Sequence, residues 1–259
     1  LVATDAIGMG INMDINNVSF SNLKKFDGKK TRRLNLSEIS QIAGRAGRHI
    51  NDGTFGITGE CKHLSTDEIE KLEKHELNKI DVLYWRNSDI NFDSLDALVS
   101  SLEKKTNSEF LKRINDCEDE KVLKFLIKNN KDLKIKQSKD FIKTLWECCQ
   151  IPDFSKKTYG NHIDIVKKVF EFLTSKSEKV TNDYMKKQLE HLDRYDGNID
   201  TLTNRISNVR TWSYVSNKKS WVNNSDYWIE RTKYIEDKLS DKLHEALMKS
   251  FVDRRMSVL

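Results

Sequence analysis

The chain has 259 residues, 37% of them hydrophobic and 33% charged, with a formal net charge of +5. No run of 18 or more apolar residues occurs, so no transmembrane helix is expected, and the apolar first residues lack the charged flank and cleavage pattern of a signal peptide. The mild basic excess, with lysines mixed among acids, reads as a solvated surface and is no nucleic-acid signature by itself. Four cysteines (Cys61, Cys117, Cys148, Cys149) form no C-x-x-C pair, and the six histidines form no H-x-x-x-H pair. That spacing predicts no metal site, and reduced thiols in a cytoplasmic protein are expected.

Eight of the ten glycines fall within residues 1–62, which suits tight strand–loop–helix turns there and helices afterwards. Leu1-Val-Ala reads as the end of a buried strand, and residues 17–21 as a second strand. Asp27-Gly28 within Lys24–Lys30 signals a hairpin turn. Asn35 and Glu38 have capping-box spacing and open a helix with Ile39, Ile42 and Ala43 on one side. Asn51-Asp-Gly53 turns the chain into a strand at Thr54–Thr58. Ser65 and Glu68 cap a helix to about Leu77, and Asp93 precedes Leu95, Leu98, Val99 and Leu102 on one helical face. Further helices are predicted near 119–129, 138–149, 161–175, 181–194, 199–216 and 225–250; the single proline, Pro152, is compatible with them. The fold class is α/β followed by all-α: an α/β unit over 1–62 and a helical domain over 63–259, with room for a subdomain split near 150–160.

Two segments carry chemistry. Gln41-Ile-Ala-Gly44-Arg45-Ala-Gly-Arg48, if helical throughout, puts residues 41, 44, 45 and 48 on one face, so two guanidiniums can approach one anion. Phosphoryl transfer needs positive charge where the γ-phosphate departs, and an arginine supplies it. Upstream, Ala3-Thr4-Asp5-x-x-Gly8-x-Gly10 follows a strand end. Its amides and Thr4 suit a phosphate, and Asp5 suits an arginine or a ribose hydroxyl, although the spacing is not that of dinucleotide folds.

Taken in this order, Ala-Thr-Asp-Ala-Ile-Gly-Met-Gly-Ile-Asn-Met and Ser-Gln-Ile-Ala-Gly-Arg-Ala-Gly-Arg resemble motifs V and VI of superfamily 2 helicases, most closely the mitochondrial degradosome RNA helicase and its bacterial relatives. Asp52–Glu60, Tyr84-Trp-Arg-Asn87 and Leu243–Leu259 extend the resemblance to the bacterial branch. It implies the C-terminal part of a RecA-like helicase domain followed by a helical C-terminal domain, in an ATP-dependent enzyme that unwinds RNA or RNA–DNA duplexes. Thr4 would touch the nucleic-acid backbone; Asp5, Gly8, Gly10 and Gly44 would line the route to the nucleotide; Gln41 and Arg45 would sit at its cleft; Arg48 would be the arginine finger. ATP and Mg²⁺ are the implied cofactors, and an exoribonuclease is the implied protein partner. No G-x-x-x-x-G-K-[ST] loop occurs, and Asp67-Glu-Ile-Glu70 reads as first-turn acids of a helix, so a fragment without ATPase of its own is expected.

Between Arg205 and Lys233, tryptophans and tyrosines alternate with cations, a pattern that suits stacking on single-stranded nucleic acid. The spacing of Trp228, Ile235, Leu239 and Leu243 favours a helical core instead. Two other functions share the motifs: a nucleic-acid-binding module without turnover, and a DNA-directed motor.

Overall fold

The computed structural model describes Thr4 and residues 15–27, 30–47, 51–115, 117–130, 133, 138–155 and 159–256, the side chains of 159 and 251–256 excepted. The chain divides into two compact units, 1–82 and 83–259. Residues 63–82, placed with the helical domain by the glycine distribution, group with the first unit, because Leu72 of the helix at 66–73 is buried in that unit's core.

In the first unit, strands β1 (Asn17–Phe20) and β4 (Thr54–Ile57) pair in parallel, Asn17 opposite Thr54 and Phe20 opposite Ile57. Parallel neighbours need a crossover. It consists of a hairpin, β2 (Lys24–Phe26) with β3 (Thr31–Arg33), and helix α1 (Leu36–Ala43). Ile39, Ile42 and Ala43 of α1 are buried with Phe20, Leu23 and Leu34, as the 3–4 spacing predicts. The strand end expected at Leu1–Ala3 and the hairpin tip at Gly28 lie outside the described residues.

Helix α2 (Thr66–Glu73) comes next, opened by the Ser65–Glu68 capping box. It stops short of Leu77 because His75 turns left-handed (φ 53°). His75 N–H then donates to Leu72 O (3.3 Å) and Glu76 N–H to Lys71 O (2.8 Å), a Schellman closure. Asp67 and Glu70 pair with Lys71 and Lys74 one turn on, which agrees with their reading as solvated helix acids.

Two adjacent arginines tie the hairpin to both helices through the capping-box glutamates. Arg32 reaches Glu38 of α1 with two bonds (2.8 and 2.9 Å), and Arg33 grips Glu68 of α2 in the same two-pronged way (2.8 and 2.9 Å). Successive residues of a strand face opposite sides, so one dipeptide serves both helix starts. The Arg32 bonds, Lys25 (2.8 Å) and the Asn35 amide hold the Glu38 carboxyl far below its ordinary 4.5. A depressed carboxylate stabilises the fold above its unfolded value and loses that contribution as pH falls through the lower folded value. The advantage of the wild-type chain over Glu38→Gln in thermal midpoint is therefore expected to shrink as pH is lowered from about 6 toward 3. A pH-independent difference would contradict this role.

The second unit holds helices α3 (Leu95–Leu102), α4 (Glu118–Asn129), α5 (Lys139–Cys149), α6 (Tyr159–Thr174), α7 (Asn182–Glu190), α8 (Ile199–Asn217) and α9 (Ser225–Met256). The helical expectation from Ser65 onward missed one feature: β5 (Leu83–Trp85) pairs in parallel with β6 (Leu111–Arg113). Strands of three residues leave too short a pattern to register as alternation. Ser94 caps α3: its hydroxyl accepts from Ala97 N–H (3.0 Å), while Asp93 N–H donates to Asn91 Oδ1 (2.8 Å).

Trp212, Trp221 and Trp228 are buried, and Ile235 and Leu239 continue the buried face of α9 against α8. The core reading of the tryptophans holds. Burial pushes the Cys148 and Cys149 thiols well above the usual range. Since the thiolate is the reactive form, both are expected to resist a disulfide reagent in the native chain at about pH 8 and to react on unfolding. Half-buried Cys117, also shifted upward by burial, reacts ahead of them. Rapid native labelling of Cys148 or Cys149 would show that this core is not closed.

Candidate functional site

The arginine-rich motif begins inside α1 and leaves it. The Asn35 side chain accepts from Glu38 N–H (2.9 Å) and sets the start of the helix. The end is at Ala43, with Gly44 as the closing residue, its N–H donating to Ser40 O (2.8 Å). Arg45 and Ala46 continue in a turn whose amides reach back to Ile42 O (3.1 Å) and Ala43 O (2.9 Å). The expectation of one helical face carrying 41, 44, 45 and 48 is therefore corrected. Gln41 is on the last turn of α1, Gly44 closes it, and Arg45 lies beyond it. Glycines at 44 and 47 end the helix there, because each weakens a continuing ladder and Gly47 adopts φ 78°.

Ala46 and Gly47, at the end of this turn, are held tightly. Ala46 makes a parallel bridge to Ile15, and Gly47 N–H donates to Ile15 O at 2.7 Å. A methyl group built on Gly53 would lie 2.1 Å from Ala46 C and 2.2 Å from Gly47 N, so two backbone segments cross in contact where only glycine fits. Thr54 N–H then donates to Asn16 O (2.9 Å), locking the start of β4 beside the start of β1. Gln41, Gly44 and Arg45 are thus fixed by backbone contacts at the edge where both strands begin.

Gln41 and Gly44 are exposed and Arg45 is half-buried. A methyl group on Gly44 would meet Ser40 O at 3.0 Å, a contact tighter than ordinary packing, so a side chain there would press on the last turn of α1. An arginine stays protonated and offers planar N–H donors suited to phosphate oxygens. Thr4 is exposed. Asp5, Gly8, Gly10 and Arg48 lie outside the described residues. A separate cavity of about 390 Å³ between β4 and α2 is walled by Phe55, Ile57, Leu64 and Ile69 and includes neither Gln41 nor Arg45.

No protein-family model matches the chain. It is 50% identical over 72 residues to the mitochondrial ATP-dependent RNA helicase SUV3 of Oryza sativa subsp. japonica, a stretch covering 28% of this chain and 12% of that protein. The mitochondrial DExH-box ATP-dependent RNA helicase DExH16 of Arabidopsis thaliana is 65% identical over 63 residues, 24% of this chain and 11% of the relative. The chain resembles the SUV3-type RNA helicases. SUV3 of Candida albicans repeats the match at 56% identity over 48 residues, 18% of this chain and 7% of its own. The chain thus matches only a minor part of each SUV3-type relative. All three are named as mitochondrial, which overturns the expectation of a cytoplasmic protein drawn from cysteine usage.

The sequence singles out Gln41, Gly44 and Arg45 but gives no sign of the contacts that hold the turn beside them. Arg32 and Arg33 fall in no motif, and the Gly53 crossing with Ala46–Gly47 has no local pattern. The paired capping boxes were the available signal, since each places an acid that an arginine can clamp.

Proposed function

We propose that the chain belongs to an ATP-dependent superfamily 2 RNA helicase and supplies the arginine side of its nucleotide site, on a RecA-like α/β unit followed by a helical domain. What supports this reading is the end of α1, where Gln41 and Gly44 are exposed, Arg45 is half-buried, and the next residues are tied down by the Ala46–Ile15 bridge and the close Gly47–Gly53 approach.

In ATP hydrolysis water attacks the γ-phosphorus, the bond to the bridging oxygen breaks, and ADP and phosphate leave. Negative charge builds on the transferred group and the leaving oxygen, and fixed guanidiniums offset it. Arg48 takes the finger role, Arg45 and Gln41 orient the phosphates, and Gly44 lets them approach. Thr4 contacts the RNA backbone, and Asp5 with the Gly8–Gly10 loop couples that contact to the nucleotide. No phosphate-cradling P-loop occurs in the sequence. ATP and Mg²⁺ are accordingly assigned mainly to a P-loop-bearing segment outside these residues, and this chain alone is inactive. A mitochondrial setting is the one the relatives' names support.

RNA-stimulated ATPase of the helicase-length protein tests the reading. Stimulation by RNA is expected. Stimulation by DNA alone favours a DNA-directed motor, and no hydrolysis at all favours a binding module without turnover.

A further inference from the structure

The second unit carries a small sheet with one face left open. Strands β5 and β6 pair with Tyr84 directly opposite Lys112. Side chains alternate along a strand, so Tyr84 and Lys112 point to one side and Leu111 and Arg113 to the other. Phe110 lies two residues before Lys112, and its carbonyl accepts from Leu83 N–H (2.8 Å), so it extends the ladder on the side of Tyr84. Tyr84 is 73% exposed and Phe110 71%; among the described large apolar side chains only Ile80 is more so.

The sheet itself is pinned. Arg113 donates to Glu120 Oε2 (2.6 Å) and to Leu102 O (3.1 Å). Arg86, the residue after β5, grips Asp119 with two bonds (2.8 and 2.9 Å) and lies over the buried Trp146 ring, 5.3 Å from its centre. Both acids belong to the first turn of α4, and Trp146 to α5. The two exposed rings therefore stand on a strand pair fixed to two helices. Isolated apolar side chains on a surface are ordinary, but two aromatic rings side by side on a fixed face are not.

The surroundings are cationic. Lys104, Lys105 and Lys112 are exposed, and none of them pairs with an acid among the described residues. The same stretch, 103–113, has two acids: Glu103, which is held by Lys124, and Glu109. An open groove of about 450 Å³ includes all three β6 residues and none of β5, so it follows the edge of β6 away from β5. Lys105, Thr106 and Asn115 add donors to it, as phosphate oxygens require. The face is too small for a folded partner. Two strands about 4.8 Å apart and a few residues long, at about 3.3 Å each, offer far less than the ~800 Å² per partner of a stable protein interface. The same spacings put the two aromatic positions about 8 Å apart, close enough for two bases of one strand. What fits is narrow, flat-sided and anionic, and open sheets that bind RNA use aromatic rings in this way.

We propose that the β5–β6 face is a platform for single-stranded RNA: two unpaired bases stack on Tyr84 and Phe110, and Lys105 and Lys112 hold phosphates along the groove at the β6 edge. The choice of RNA rests on the helicase reading; the stacking face and its charge do not.

The test is binding of a labelled single-stranded oligouridylate to the 259-residue chain, read by fluorescence anisotropy. Tyr84→Ala and Phe110→Ala are each expected to weaken binding about five-fold or more, with the thermal midpoint unchanged because both rings are exposed. Phe110→Trp keeps the affinity and Phe110→Leu loses it, since leucine supplies apolar area without a ring face. Duplex RNA, whose bases stay paired, binds these variants as it binds the wild-type chain. Lys112→Gln lowers the slope of log affinity against log salt by about 0.7, the share of one phosphate on a single strand. No binding of the single strand by the wild-type chain, equal binding by Phe110→Ala, or full rescue by Phe110→Leu overturns the proposal. So does a loss of self-association in place of RNA binding in Phe110→Ala, which would make the face a contact between copies. The titration needs no ATP. If the variants bind normally while the helicase-length protein keeps RNA-stimulated ATPase, the platform falls alone; if the strand binds through Tyr84 and Phe110 but no ATPase exists, the helicase reading falls.

Discussion

Replacing Arg48 by alanine in the helicase-length protein is expected to lower RNA-stimulated ATP turnover by about 10³-fold or more while RNA affinity stays within a few-fold. The asymmetry follows from what a finger arginine does. Its guanidinium meets charge that exists fully only in the transition state, so its loss appears in kcat and hardly in ground-state binding. Lysine at the same position restores little, since a point charge does not present two parallel donors to a phosphoryl group. Arg45→Ala is expected to have a smaller effect, shared between kcat and the KM for ATP, because its proposed role is to orient phosphates already bound. Unimpaired turnover in Arg48→Ala would remove the finger assignment, and a proportional loss of RNA affinity would move that residue to the nucleic-acid side.

The second large effect is structural. Gly53→Ala places a methyl group 2.1 Å from Ala46 C, 2.2 Å from Gly47 N and 2.5 Å from Ala46 O, all backbone atoms that no side-chain rotation can clear. Either β4 separates from Ala46 or the Ala46–Ile15 bridge breaks. Overpacking of this severity costs at least about 3 kcal/mol. Urea denaturation of the chain, followed through a probe in the first unit, measures it. Gly56→Ala is the matched control: it lies three residues on, inside β4, with nothing within 4 Å of the added methyl, and its stability is expected to change by less than about 1 kcal/mol. In the helicase-length protein Gly53→Ala also lowers ATPase, because the strand it displaces fixes the turn that carries Arg45. Equal behaviour of the two variants would mean that the crossing at Gly53 does not hold the site.

How far the sequence revealed this molecule varies with the physics of each feature. Elements with strong local signals were legible. The capping boxes at Asn35 and Ser65, the buried face Ile39–Ile42–Ala43 and the helices from 118 to 256 all arise from spacing and end chemistry that act within a few residues. Features made by distant partners were not. The pairing of β5 with β6 joins three-residue strands far apart in the chain, and the Arg33–Glu68 clamp joins residues 35 apart. The arginine motif was readable as a motif, yet its shape was misjudged. A helical wheel continues through Gly44, whereas two glycines and a left-handed Gly47 turn the chain toward Ile15. Compartment was the weakest inference, because unpaired cysteines report a reducing environment and cannot separate one such environment from another.

Strand displacement bears most directly on the central claim that Gln41, Gly44, Arg45 and Arg48 serve ATP-driven work on RNA. The helicase-length protein, given an RNA duplex with a single-stranded overhang, is expected to separate the strands with ATP and not with a non-hydrolysable analogue. Arg48→Ala is expected to bind the same duplex and leave it paired. Strand separation at the wild-type rate by Arg48→Ala, or by the wild-type protein without hydrolysis, would contradict the account.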